Sequence, residues 1–355
     1  MAPEPASPIA LLAALLSGPA GAEVAADPAR WAVVRQYAPR HGVAQLAAFL
    51  GRPHVPAPER AWCDEVLIRG WKRHVRNLAS VELSLGRLQA EGIGALPLKG
   101  PVLASRCYQP PFLRKPSVDI DLAVRESDLQ HASGIFSRAG YAPEMPLRDA
   151  ISRSHHLALI HPAEPRIELH FRLSHGAYGV PVDEFFDRAL PHILPGGLKV
   201  GVMAPEDEIF HLVLHRAFGR FATLFHLYEV RRLWAAATPD VRARTLYRAA
   251  DYHFAGAFAL TDVALQARWG EGFLTAGDLP KTWLHWRIGE KLYEQFERLS
   301  EPGRELPLTA RLGRRWIDFQ VTDRPADARR FIAVMARVAW HQIRNRGWKT
   351  VKIGQ

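Results

Sequence analysis

The sequence predicts an α+β fold, with a strand-bearing segment set between two helical regions. Three observations carry that prediction. Apolar residues recur at three- and four-residue steps up to about residue 90 and again from about 205 onward; alternating apolar and polar runs are confined to 93–173; and within that segment a short strand passes through glycine into a helix start. At 355 residues the chain exceeds the usual size of one core, while 48% hydrophobic and 23% charged residues are ordinary globular values. The expected division is a helical region over 1–91, a central strand-bearing core over 92–203 and a helical region with a basic tail over 204–355.

The opening apolar run, IALLAALL at 9–16, reads as a buried first helix rather than a secretory signal, because no basic residue precedes it and Glu4 is the only charged side chain there. No stretch reaches the ~20 apolar residues of a membrane span, so no membrane partner is expected. Cys63 and Cys107 are the only cysteines. Two are too few for a disulfide scaffold or a cysteine-based zinc site and fit a reducing, cytoplasmic location. Trp31, Val34 and Ala38, then Val43, Leu46, Ala47 and Leu50, describe helices interrupted by the turn at 39–42. After a proline-rich connector at 51–60, a long helix is expected over 61–91. Its apolar stripe is Leu67, Trp71, Val75, Leu78, Val81, Leu85 and Leu88.

Residues 93–98 form a short apolar strand that ends at Lys99-Gly100, ahead of a helix over 101–108 with Pro101 at its favoured first position. Such a junction is an anion site, since unpaired backbone N–H groups and the positive end of the helix dipole face one point. Lys99 adds a charge there, although a glycine can also serve the turn alone. Arg114 and Lys115 precede the strand Val118-Asp119-Ile120-Asp121-Leu122, where alternation puts Asp119 and Asp121 on one face. Two adjacent carboxylates repel unless they share a hard divalent cation. A lone pair of this kind also fits a half-buried strand whose polar face is merely wet.

A helix follows over 126–139, with Ser127 or a neighbour as its cap and Gly140 as its stop. Runs at 155–161 and 166–173, joined by Pro162-Ala163-Glu164-Pro165, form a hairpin candidate. In the second run Glu168, His170 and Arg172 share the face opposite Ile167, Leu169, Phe171 and Leu173, which presents a third carboxylate. His155, His156 and His161 invite a zinc reading, against which stand the absence of a nearby cysteine and of helical HxxxH spacing.

These segments carry a resemblance. LKGPVLASRCY (98–108), RKPSVDIDLAV (114–124), RIELHFRL (166–173), EDEIFHLVLHRAF (206–218) and HLYEVRRLW (226–234) resemble the bacterial family of uncharacterised nucleotidyltransferases within the DNA polymerase β superfamily. The resemblance extends from the opening LLAALLSG to about Trp234. It implies a small mixed, polymerase β-like sheet flanked by helices, with 92–203 as the nucleotidyltransferase core. Gly100 matches the nucleotide-holding turn, and Asp119, Asp121 and Glu168 match the metal-binding and catalytic acids for Mg²⁺ or Mn²⁺. The co-substrate is then an NTP, with ATP expected, and the acceptor a hydroxyl of a small molecule, peptide or protein. Pro101 departs from the family's second small residue and removes a backbone donor, so Lys99, Ser105 and Arg114 are expected to share the phosphate contacts. His170 is placed to contact phosphate or move a proton, or to serve the fold alone. The alternative is a catalytically inactive member that binds nucleic acid or a partner protein.

Pro205-Glu206-Asp207 opens the next helix, on which His211 and His215 lie one turn apart as packing or substrate contacts beside the acids. Further helices are expected at 228–234, 241–265 and 282–299, with a connector at 301–307. Between Arg311 and Lys352 there are eleven basic and three acidic residues, so eight of the chain's ten excess positive charges lie there. On a helix over 329–344, Ile332, Met335, Ala339 and Ile343 fall on one face and Arg330, Arg337 and Arg344 on the other. That stripe is either a solvated face or a contact for a polyanion.

Overall fold

The computed structural model describes residues 7–173, 180–218, 223–275 and 278. The expected helices at 282–299 and 329–344, the connector at 301–307 and the basic tail lie outside the described residues.

The chain begins with four short helices, α1 (Pro8–Leu15), α2 (Pro19–Ala26), α3 (Pro28–Tyr37) and α4 (Ala44–Gly51). Local chemistry sets their starts. Pro8, Pro19 and Pro28 open the first three, and the Asp27 carboxylate accepts from the N–H groups of Ala29 and Arg30. Their core, built on Leu12, Trp31, Val34 and Leu46, takes in Tyr108, Leu113 and Phe225 from far downstream.

Helix α5 (Arg60–Ala90) has 31 residues, about 46 Å of axis, and connects two cores. Cys63 and Val66 belong to the N-terminal core, and Val81, Leu85 and Leu88 to the core beneath the sheet. The expected continuous stripe is therefore interrupted: Trp71 and Val75, on the turns between, are 52% and 48% exposed. A helix longer than either core leaves its middle outside both.

The main sheet has five strands, β1 (Ala95–Pro97), β2 (Asp119–Val124), β3 (Ala142–Pro143), β4 (His156–Ile160) and β5 (Arg166–His170), in the order β1-β2-β5-β4-β3. Only β2 and β5 are parallel, so the sheet is mixed, and the intervening chain makes the crossover such a pair requires. That crossover holds α7 (Leu129–Arg138), α8 (Leu147–Arg153) and the β3–β4 pairing. Ser127 does not cap α7: its hydroxyl donates to Asp128 Oδ1, and the chain enters the helix through a single 3₁₀ turn at Glu126–Asp128. Gly140 does follow the helix in the left-handed region, with φ of +89°.

Alternation along β2 gives the sheet two different faces. Ile120, Leu122 and Val124 pack with α5 and α7, whereas Ala123, on the face shared by Asp119 and Asp121, joins the core of the C-terminal helices. Between sheet and helices come α6 (Gly100–Cys107), α9 (Asp183–Asp187) and a two-stranded hairpin, β6 (Leu190–Ile193) with β7 (Lys199–Val202). The C-terminal helices are α10 (Pro205–Phe218), α11 (Leu224–Ala236), α12 (Pro239–Asp251) and α13 (Ala255–Trp269), packed on Phe210, Val213, Phe254 and Phe258. Among the described residues no helix is long and apolar enough to cross a membrane.

Candidate active site

The junction from β1 to α6 is strained and specific. Lys99 and Gly100 both have positive φ, 53° and 56°, a conformation glycine adopts freely and lysine does not. The turn is tied to β2 by the N–H of Leu98, which donates to the carbonyl of Asp121 at 2.9 Å. This sets the start of α6 beside Asp121. Lys99 has its Nζ 3.2 Å from Asp121 Oδ2, and its side chain is only 11% exposed.

The parallel register pairs Asp121 with Glu168 and Ala123 with His170. The His170 Nε2–H donates to Asp121 Oδ1 at 2.9 Å and lies 3.6 Å from Glu168 Oε2. Glu168 Oε1 lies 3.7 Å from His156 Nε2 and 3.3 Å from Arg166 Nη2. Asp121, Glu168 and His170 each offer a ligand atom, all within 4.8 Å of one another. Asp119, two residues back on the same face of β2, is half-buried.

The two aspartates differ electrostatically. Burial, then the charges of Asp121 and Glu168, pushes the Asp119 carboxyl up to about 6. Burial also opposes ionisation of Asp121, but the Lys99 ammonium and the His170 hydrogen bond overcome it and hold that carboxyl well below the usual range. Glu168 is lowered by His170 and His156 against the same opposition from burial. Burial opposes protonation of His170, but its hydrogen bond to Asp121 and the nearby Glu168 carboxylate overcome it, and His170 is raised.

Histidines crowd this face beyond what the sequence suggests. The antiparallel β4–β5 register sets His156 directly opposite His170, and His155 adjoins both, with ring centroids 4.5 Å from His156 and 5.4 Å from His170. Counting residue pairs outward from the turn at 161–165 gives the His156–His170 pairing, so the hairpin itself holds the signal that a reading of single strands misses. His161 goes elsewhere: its Nδ1 accepts from the N–H groups of Ala163 and Glu164, and its ring lies against Tyr141. From α10, burial and then Lys99 keep His211 and His215 well below the ordinary histidine range, and both also feel the Asp121 charge. The His226 ring of α11 lies 5.1 Å from that of His215 and is lowered to about 3 by burial and then by Lys115.

Two expected phosphate contacts are not brought to this group. Arg114 is buried in a two-pronged pair with Glu229, at 2.6 and 3.0 Å, which Tyr108 joins through its hydroxyl at 3.3 Å. Its fork is taken up by α11, because an arginine this buried needs a carboxylate at hand. The Ser105 hydroxyl turns back onto its own helix and donates to the carbonyl of Val102 at 2.8 Å. Lys99, Gly100, Asp119, Asp121, Glu168 and His170 do converge.

What this arrangement can do follows from its parts: a helix N-terminus with a lysine for an anion, and three carboxylates close enough together that each feels the others' charge. No curated protein matches the chain. The profile of a family described as an uncharacterised nucleotidyltransferase matches residues 27–267, more than half of the chain, and the protein belongs to that family.

Proposed function

We propose that this protein transfers a nucleoside monophosphate from an NTP to an acceptor hydroxyl and releases pyrophosphate, with Asp119, Asp121 and Glu168 as its acidic centre. The carrying observation is the meeting of Asp121 and Glu168 in register on parallel strands, beside the helix start at Lys99-Gly100. The donor set suits Mg²⁺ or Mn²⁺, because the three acids offer oxygen ligands and the Asp119 carboxyl is raised by burial and then by the neighbouring charges of Asp121 and Glu168, which a hard cation offsets. When bound, such ions neutralise the triphosphate and favour in-line attack at the α-phosphate.

The chain's own groups do the rest. Lys99 exchanges Asp121 for a phosphate oxygen, while the N–H groups of Gly100 and Val102 and the α6 dipole draw the phosphates to the turn; Pro101 between them has no N–H to offer. His170 keeps Asp121 oriented through its Nε2–H. Glu168 receives the proton as the acceptor oxygen bonds to phosphorus and the bond to pyrophosphate breaks, with His156 and His170 within 3.7 Å of its oxygens. ATP is the first nucleotide to test, and small-molecule, peptide and protein hydroxyls are the acceptor classes.

A second reading, a non-catalytic nucleotide- or partner-binding protein, draws on the Lys99–Asp121 contact and the missing donor at Pro101. Pyrophosphate release and intact mass, read with each NTP and Mg²⁺ or Mn²⁺, separate the two. Transfer that disappears in Asp121→Asn is expected. No release with any NTP, alongside nucleotide-dependent stabilisation, selects the second reading.

A further inference from the structure

The proposed transfer uses His156 and His170 only beside Glu168 and Asp121, and leaves their clustering with His155 at the β4–β5 junction without a role. We propose that His155, His156 and His170 bind one borderline divalent cation, of which Zn²⁺ is the type, at a site separate from the oxygen ligands that suit Mg²⁺. The geometry is compact. All three ring centroids lie within 5.4 Å of one another, and one nitrogen from each lies within 4.8 Å of the other two. A tetrahedral zinc centre with Zn–N of about 2.0–2.1 Å needs its nitrogens about 3.4 Å apart, which small rotations of these side chains supply.

Three further features point to a cation. His155 Nε2 and His156 Nδ1 share a hydrogen bond of 3.2 Å, so at least one of the two rings is neutral and carries a lone pair. His170 is 4% exposed, and its Nδ1 has no hydrogen-bond partner among the described residues, an arrangement costly for a buried polar atom unless a ligand meets it. Asp121 grips the other nitrogen of that ring, the carboxylate–imidazole pairing that orients metal-binding histidines. Glu168, 3.7 Å from His156 and 3.6 Å from His170, stays with the oxygen ligands, and a water takes the fourth position on zinc. Imidazole nitrogen favours zinc, cobalt or nickel, whereas Mg²⁺ keeps to oxygen, so the two kinds of ion sort themselves between neighbouring sites. Zinc binding by these imidazoles does not depend on nucleotidyl transfer.

The test uses the full, untagged chain, stripped with a chelator and loaded with Zn²⁺ or Co²⁺ alone, without nucleotide. Expected are one retained ion per chain, three imidazoles about 2.0–2.1 Å from zinc by X-ray absorption, and a rise in Tm with Zn²⁺ that Mg²⁺ does not reproduce. His155→Ala and His156→Ala should each weaken Co²⁺ binding, read from its visible spectrum, by about tenfold or more, while Asp119→Asn retains it. Absence of a retained ion, fewer than three imidazoles around it, or unchanged Co²⁺ binding in both folded histidine variants overturns the proposal. The X-ray absorption of the wild-type chain decides the matter even if a variant does not fold. Failure here leaves nucleotide-dependent stabilisation untouched, and failure of the transferase reading leaves zinc binding untouched.

Discussion

The two ends of α6 sit in two buried polar regions of opposite character. At its C-terminal end Arg114, Glu229 and Tyr108 form a closed set in which one cation meets one carboxylate through two hydrogen bonds. At its N-terminal end Asp119, Asp121 and Glu168 lie among Lys99, Arg166 and a crowd of histidines, and no carboxylate there has a two-pronged partner of its own among the described residues. Balanced groups of the first kind join elements together. Groups of the second kind hold neighbouring carboxylates at pKa values shifted in opposite directions, Asp119 up and Asp121 down, the pattern on which the proposed site rests.

The largest effect should come from breaking the balanced region. Glu229→Gln leaves the Arg114 guanidinium buried without its carboxylate and should cost about 3–5 kcal/mol in denaturant unfolding. If it costs less than about 1 kcal/mol, the pair is not the joint described here.

Next is Asp121→Asn, which strips Lys99 and His170 of their shared acceptor charge and should cost about 1–3 kcal/mol, besides ending nucleotide transfer. Its pH dependence has a definite sign. The folded-state carboxyl lies well below its ordinary value, so its contribution is present above about pH 4 and is lost as the pH falls toward the folded value. Melts from pH 7 down to pH 3 should show a shallower acid loss in Asp121→Asn than in the wild type.

Asp119→Asn should do the reverse. Its folded-state carboxyl, at about 6 against an ordinary 3.8, binds a proton in a range where the unfolded chain does not. The Asp119 contribution to stability should therefore fall as the pH rises from 4 to 6 and stay lower above it, so Asp119→Asn should gain about 1–3 kcal/mol on the wild type at pH 7 without metal. A variant less stable than the wild type at pH 7 in the absence of metal would contradict the crowding argument. Loss of the nucleotide- and Mg²⁺-dependent rise in Tm should accompany the gain.

The smallest effect is a control on exposure. Arg138 and Glu91 pair at 2.8 Å with 60% and 44% of their side chains exposed, and Arg138→Ala should cost no more than about 1 kcal/mol. A cost near that of Glu229→Gln would mean that pairing itself, rather than burial, separates the two regions.

Much of the acidic centre is legible in the amino-acid pattern. A strand's period of two puts Asp119 with Asp121 and Glu168 with His170, and the glycine turn at Lys99-Gly100 is visible as a strand ending in a helix start. The α8 helix, the β3 strand and the β6–β7 hairpin leave no such mark, being short segments whose partners supply most of their order. The Arg114–Glu229 pair is not legible in the sequence, because the two residues lie 115 apart, where no local pattern signals the contact.

Alternation settles which side chains share a strand face, and Pro101 and Pro205 mark the starts of α6 and α10, because both signals act over a few residues, whereas the start of α7 escapes the Ser127 cap signal. Only the tertiary structure decided that β2 and β5 run parallel with Asp121 opposite Glu168, that Lys99 grips Asp121, and that His156 meets His170. Those are pairings between segments, set by hydrogen-bond register and burial, and the same residues in another register would carry the same local pattern with none of the site.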